Sequence, residues 1–242
     1  MNPTGHDLAK LIDHTLLKPE ATAADIQKLC EEAKTYGFAT VCIYPMWLTL
    51  ASKILSNSRV QPIAVVGFSS GATTSESKAF ETRQAVHCGA QEIDMVLAIG
   101  ALKSGDERHV LNDIRQVVEA AEGHPVKVIL ETALLTPTEI ILACQLSQKA
   151  GAAFVKTSTG FGPSGATVEA VRLMRETVGP TMGVKASGGI RTYADALRMI
   201  QAGANRIGAS VSVAIIQESI QSKSETSVLQ KNGKTDKHSS QY

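Results

Sequence analysis

The sequence predicts an α/β fold, a single (β/α)8 barrel with a flexible polar C-terminal tail, and three observations point to it. From Leu11 onward, short apolar runs alternate with longer stretches of helical period, the order expected of parallel strands joined by crossover helices. Eight such units fit within 242 residues, which suits one closed TIM barrel better than an open doubly wound sheet. No GxGxxG follows any of the expected strands, so the dinucleotide-binding alternative lacks its phosphate turn.

Taken in order, the strands are expected at 11–16, 40–44, 61–67, 92–97, 126–131, 153–157, 183–186 and 206–208. The helices between them are marked by their ends. The segment Ala23–Tyr36 has spaced apolar positions and stops at Gly37, and the segment 73–88 stops at Gly89 in the same way. Thr136 is a candidate N-cap with Pro137 in the first turn, where proline is tolerated, and that helix ends near Gly151. Segments 167–178 and 192–202 stop at Gly179 and Gly203. After Ile220 the chain turns polar. Residues 1–220 are therefore expected to form the barrel, and residues 221–242 a mobile tail. The tail ends in Tyr242, which is either decoration or an aromatic that folds over the barrel mouth toward substrate.

Composition narrows the function. The chain is 43% hydrophobic, 19% charged and 4% aromatic, which fits a soluble globular domain with one sizeable core. Its formal net charge is +1, without basic blocks interleaved with aromatics, so neither nucleic acid nor membrane is an expected partner. The N-terminus lacks a signal-peptide pattern and no apolar run approaches spanning length, so a cytoplasmic protein is expected. Cys30, Cys42, Cys88 and Cys144 are scattered without CxxC spacing and read as reduced core residues, Cys42 alone being placed where it could point into a site. The six histidines show no HxH, HExxH or His/Cys cluster, and no GxSxG occurs, so metal-dependent and serine-hydrolase chemistry are disfavoured and no cofactor is expected.

Catalytic groups of such barrels come from the carboxyl ends of the strands. Lys156 ends the apolar run 152–155 and precedes Thr157, Ser158, Thr159 and Gly160; Lys185 ends the next strand and precedes Ala186, Ser187, Gly188 and Gly189. A strand-end lysine can simply snorkel to water. Two on adjacent strands, roughly 5 Å apart, repel, and one kept cationic helps hold the other neutral and nucleophilic. Spacing does not decide which is which. Imine chemistry also needs a proton-transfer group, and three carboxylates interrupt or end apolar strands: Asp94 is ranked first, Asp13 second and Glu131 third. A structural ion pair with a lysine is the alternative for Asp94. Small glycine-rich turns at Gly188 and Gly189, and at Gly208 to Ser210, sit where phosphate-binding barrels present backbone amides; the turn from Thr157 to Gly160 could add further donors.

Three segments, Lys156 to Phe161, Gly183 to Thr192 and Arg206 to Ser210, resemble the deoxyribose-phosphate aldolase family, with support from Ile12 to Leu17, Glu92 to Val96 and Lys127 to Thr132. The resemblance spans about residues 11–220. It implies a class I aldolase that reversibly cleaves 2-deoxy-D-ribose 5-phosphate to D-glyceraldehyde 3-phosphate and acetaldehyde without a metal. It further implies that Lys156 forms the Schiff base, that Lys185 tunes it, that Asp94 handles protons with water, and that phosphate rests on Gly160, Gly188, Gly189, Gly208 and Ser210. Asp13, Thr157 and Tyr242 are auxiliary candidates. The sequence departs from the pattern at Phe161, where some relatives carry a basic residue, and at Val211, where many carry a smaller one. An aldolase with a different or unphosphorylated acceptor is the runner-up, followed by a non-catalytic phosphometabolite-binding barrel. The expected partners are a phosphosugar and acetaldehyde, and a homo-oligomer is compatible with the sequence.

Overall fold

The computed structural model describes residues 2–232, so Tyr242 lies outside the described residues. In chain order the elements are α1 (His6–Ala9), β1 (Ile12–Thr15), α2 (Ala23–Tyr36), β2 (Thr40–Ile43), α3 (Leu48–Leu55), β3 (Gln61–Val66), α4 (Ser75–His87), β4 (Glu92–Val96), α5 (Ile99–Lys103) and α6 (Glu107–Ala120). They continue as β5 (Val126–Ile129), α7 (Pro137–Lys149), β6 (Phe154–Lys156), α8 (Val168–Val178), β7 (Gly183–Ser187), α9 (Tyr193–Gln201), β8 (Arg206–Ala209) and α10 (Ser212–Asn232). All eight strands are parallel and close in sequence order, β8 pairing with β1. The fold is the (β/α)8 barrel expected from the sequence.

Local chemistry explains the helix ends. Thr22, Thr136 and Thr192 each accept the backbone N–H three residues on, while Asp25, Glu139 and Asp195 return the bond to the cap backbone. Thr167 caps α8, and Gly37 ends α2 in the left-handed conformation (φ 70°) that glycine adopts without strain. One expected boundary shifts: α10 continues through Asn232, so the break placed at residue 220 falls inside a helix.

Two apolar regions hold the barrel. The larger lies between strands and helices, where Ile12, Val41, Ala64, Ile93, Val128, Val155, Val184 and Ile207 meet the inward faces of the helices. The smaller lies inside the barrel and comprises Leu17, Cys42, Ile63 and Val65. Cys42 is thus a core residue inside the barrel, and burial pushes its thiol pKa up. The rest of the interior on the β4–β8 side is charged. In a sheet, alternate residues share a face, so the register Lys156↔Lys185 between β6 and β7 sends both lysines to that interior.

Candidate active site

Asp94, at the centre of β4, organises the interior. Its Oδ1 accepts Lys127 Nζ at 2.9 Å, and its Oδ2 accepts both Lys156 Nζ and Lys185 Nζ at 2.7 Å. Lys185 also pairs with Asp13, whose other oxygen accepts the Thr40 hydroxyl at 2.8 Å and lies 3.4 Å from Arg206. Arg206 in turn reaches Glu92 at 2.6 Å, and Glu92 pairs with Lys127. Three acids, Asp13, Glu92 and Asp94, therefore face four bases, Lys127, Lys156, Lys185 and Arg206. With one base neutral the interior balances.

Of the two strand-end lysines, electrostatics favours Lys156 as the one that gives up its proton. Burial pushes the Lys156 pKa down, and Lys185 adds to the effect against the partial opposition of Asp94. Burial would lower Lys185 as well, but Asp13 and Asp94 outweigh it and hold its ammonium above the ordinary lysine value. Asp94 moves the other way. Burial would raise it, yet Lys127, Lys156 and Lys185 together keep it well below the usual carboxylate range. Asp13 is likewise depressed, with Lys185, Lys127 and Arg206 overriding burial. Access separates the lysines too: Lys156 lines a cavity of about 300 Å³ at the barrel mouth, whereas Lys185 is sealed beneath it. Gly208 makes this layering possible, because a Cβ there would come within 3.1 Å of Lys185 Cε and 2.9 Å of Ser187 Cβ.

The same cavity gathers all five residues expected at an anion site: Gly160, Gly188, Gly189, Gly208 and Ser210. Besides Lys156, its charged lining consists of Lys18 and Arg191, with no carboxylate. Neither was singled out from the sequence. Lys18 directly follows Leu16 and Leu17 at the end of β1, and Arg191 follows the Gly188–Ile190 turn, so position after a strand end was the available signal.

Other expectations are revised. Thr157 is not a free donor: its hydroxyl donates to Ser187 O and accepts from Ser187 N–H, both at 3.0 Å, which stitches the end of β6 to β7. Glu131 does not end β5 but stands two residues beyond it, outside the lysine network. Phe161 lines the mouth with its ring edge-on to Phe68, centroids 5.3 Å apart, while Val211 faces the flank beside α2 and α10. The sequence also missed Lys127, Glu92 and Arg206 as members of the network. Among the described residues, no group of three or more His, Cys, Asp or Glu is placed to share a metal ion, and no helix is long and apolar enough to cross a membrane.

A buried lysine pair sharing one aspartate, beneath a glycine-lined mouth at the carboxyl end of the strands, defines a barrel aldolase. Residues 8–218 match the family described as DeoC/LacD family aldolase, and the chain belongs to that family. It is 62% identical over 210 residues to the deoxyribose-phosphate aldolase of Streptococcus gordonii, covering 87% of this chain and 96% of that one. To the deoxyribose-phosphate aldolase of Bacillus mycoides it is 58% identical over 211 residues, covering 87% and 95%. The solved deoxyribose phosphate aldolase of Aeropyrum pernix, described as a unique tetramer, superposes with a TM-score of 0.83 at 36% identity, covering 88% of this chain and 91% of that one.

Proposed function

We propose that the protein is a class I aldolase that reversibly cleaves 2-deoxy-D-ribose 5-phosphate to D-glyceraldehyde 3-phosphate and acetaldehyde. The observation that carries the reading is Lys156: a lysine with a lowered pKa, open to the mouth cavity, 2.7 Å from an ionised aspartate and flanked by a sealed cationic lysine. The neutral amine of Lys156 attacks the aldehyde carbon of the open-chain sugar, and loss of water from the carbinolamine gives the iminium. Asp94, with water, takes the proton of the C3 hydroxyl; the C2–C3 bond breaks, its electron pair flows into the iminium, and glyceraldehyde 3-phosphate leaves. The resulting enamine is protonated at C2, and hydrolysis frees acetaldehyde and Lys156. Lys185 holds its proton throughout and keeps the nitrogen of Lys156 available.

The phosphate is held by the turns around Gly160, Gly188, Gly189, Gly208 and Ser210, with Lys18 and Arg191 supplying positive charge. We infer further that the chain assembles with copies of itself, as the relative from Aeropyrum pernix does, and that it works in the cytoplasm, where phosphosugars are retained. Light scattering tests the first of these. The activity is tested by following glyceraldehyde 3-phosphate release from 2-deoxyribose 5-phosphate alongside unphosphorylated 2-deoxyribose. Strong preference for the phosphorylated sugar is expected, and equal turnover of both would move the assignment to a different acceptor class.

A further inference from the structure

Glu131 is a buried carboxylate that the lysine network does not use. Its backbone is left-handed (φ 56°, ψ 61°), a conformation that a non-glycine residue keeps only where its surroundings hold it. The side chain is 3% exposed, and its Oε2 accepts both donors of Thr159, the backbone N–H at 3.1 Å and the hydroxyl at 2.5 Å. With its proton given to the carboxylate, the Thr159 hydroxyl accepts the Phe161 N–H at 3.0 Å. Gly162 closes the turn against the same group: a Cβ there would stand 2.7 Å from the carboxyl carbon and from Oε1. Residues 159–162 thus wrap around one carboxylate.

That turn is also a wall of the mouth. Thr159, Gly160 and Phe161 line the cavity, and the Phe161 ring stands at 90° to Phe68. The segment begins three residues after Lys156, and Thr157 ties its near end to β7. Farther along, Thr159 fastens it to Glu131, two residues beyond β5, before Ala166 N–H returns the chain to the carbonyls of Ser187 and Gly188. Among the described residues Oε1 has no hydrogen-bond partner, so Oε2 performs the whole task and a neutral amide oxygen in its place would serve.

We propose that Glu131 is a positioning residue for substrate recognition: by fastening Thr159 it presets the Gly160–Phe161 turn that grips the phosphorylated end of the sugar. The role rests on the phosphosugar reading above, and it leaves imine formation on Lys156 untouched. Glu131→Leu removes the acceptor and strands both Thr159 donors, whereas Glu131→Gln keeps an oxygen in place.

Two measurements decide it. Amide hydrogen exchange at Thr159 and Phe161, which needs no activity, should quicken by about tenfold in Glu131→Leu and stay near wild type in Glu131→Gln. In the same pair, KM for 2-deoxyribose 5-phosphate should rise by about tenfold in the leucine variant and return in the glutamine variant, with kcat within about twofold and KM for unphosphorylated 2-deoxyribose unmoved. Should Glu131→Leu fail to fold, Thr159→Val removes the hydroxyl alone and must quicken exchange at Phe161. Unchanged exchange overturns the clamp, and faster exchange with an unchanged KM overturns its role in recognition. If the wild-type protein does not cleave the phosphosugar, the functional reading falls, and the exchange result still decides whether Glu131 holds the turn.

Discussion

Replacing Lys185 with methionine removes the sealed cation and leaves a side chain of similar length in the barrel. Lys156 Nζ and Lys185 Nζ each lie 2.7 Å from Asp94 Oδ2, so their separation is at most the sum of the two distances, about 5.4 Å. At an effective dielectric constant of about 20, two unit charges at that separation repel by about 3 kcal/mol. This corresponds to a pKa difference of about 2 units on the surviving lysine. The shared oxygen of Asp94 then serves Lys156 alone, which acts in the same direction. Lys156 therefore becomes more basic in Lys185→Met, and the acid limb of imine formation moves up by about 2 pH units. In the region where Lys156 is mostly protonated, the rate at fixed pH falls by about 100-fold, tracking the neutral fraction. The assay is the initial rate of borohydride trapping with acetaldehyde between pH 5 and about 10. An acid limb that stays where it is in a folded variant would refute the electrostatic role, and a uniform loss at every pH would make Lys185 a proton carrier instead.

Asp94→Asn removes the negative charge and the basic oxygen that three lysines share; kcat should fall by at least about 100-fold, and exchange of the acetaldehyde methyl protons into deuterated water should fall in parallel. Near wild-type exchange would take the proton-transfer role from Asp94. Gly188 has φ 83°, and a Cβ there would meet Gly165 Cα at 2.9 Å, so Gly188→Ala should cost roughly 1–3 kcal/mol in loop strain and raise KM for the phosphorylated sugar while sparing borohydride trapping with acetaldehyde. Asp13 and Asp94 are held below the ordinary carboxylate value of 3.8, so their stabilisation is present above it and lost as pH falls through their folded-state values. Urea midpoints should accordingly drop steeply below about pH 4, and a flat profile there would contradict the ion-pair network. Lys156 acts in the same direction in a higher window: between its lowered folded value and 10.5 the unfolded chain binds more protons, so stability climbs with pH there too. Lys156→Met should abolish the climb and match or exceed the wild-type melting temperature at neutral pH, because the three acids keep three basic partners and the cost of burying a lysine that loses its proton is gone; a lower melting temperature would count against the charge inventory.

The eight-unit order was legible because several of the crossover helices carry their own punctuation. Thr136 with Pro137, Thr192, Thr167 and the glycines at 37, 179 and 203 mark ends by local chemistry that needs no tertiary context. The lysine pair was legible once strand order was known, since adjacent parallel strands bring their carboxyl ends together. Which lysine is open to the mouth was not, because access depends on how the turns above β6 and β7 close and on Gly208 making room for Lys185. Lys127 and Arg206 were missed for a related reason: a charged residue in a short strand faces either the barrel interior or the helix layer, and only the closed register decides. Thr157 shows the limit from the other side. A hydroxyl after a strand end reads as a free donor until Ser187 is found to occupy it.

Mass mapping of the lysine trapped by borohydride in the presence of acetaldehyde near pH 7 is the most direct measurement. Lys156 should carry the two-carbon adduct, with none on Lys185 and no adduct in Lys156→Ala. A label on Lys185, or an active enzyme that traps no lysine, would contradict the assignment of the open, neutral amine to Lys156.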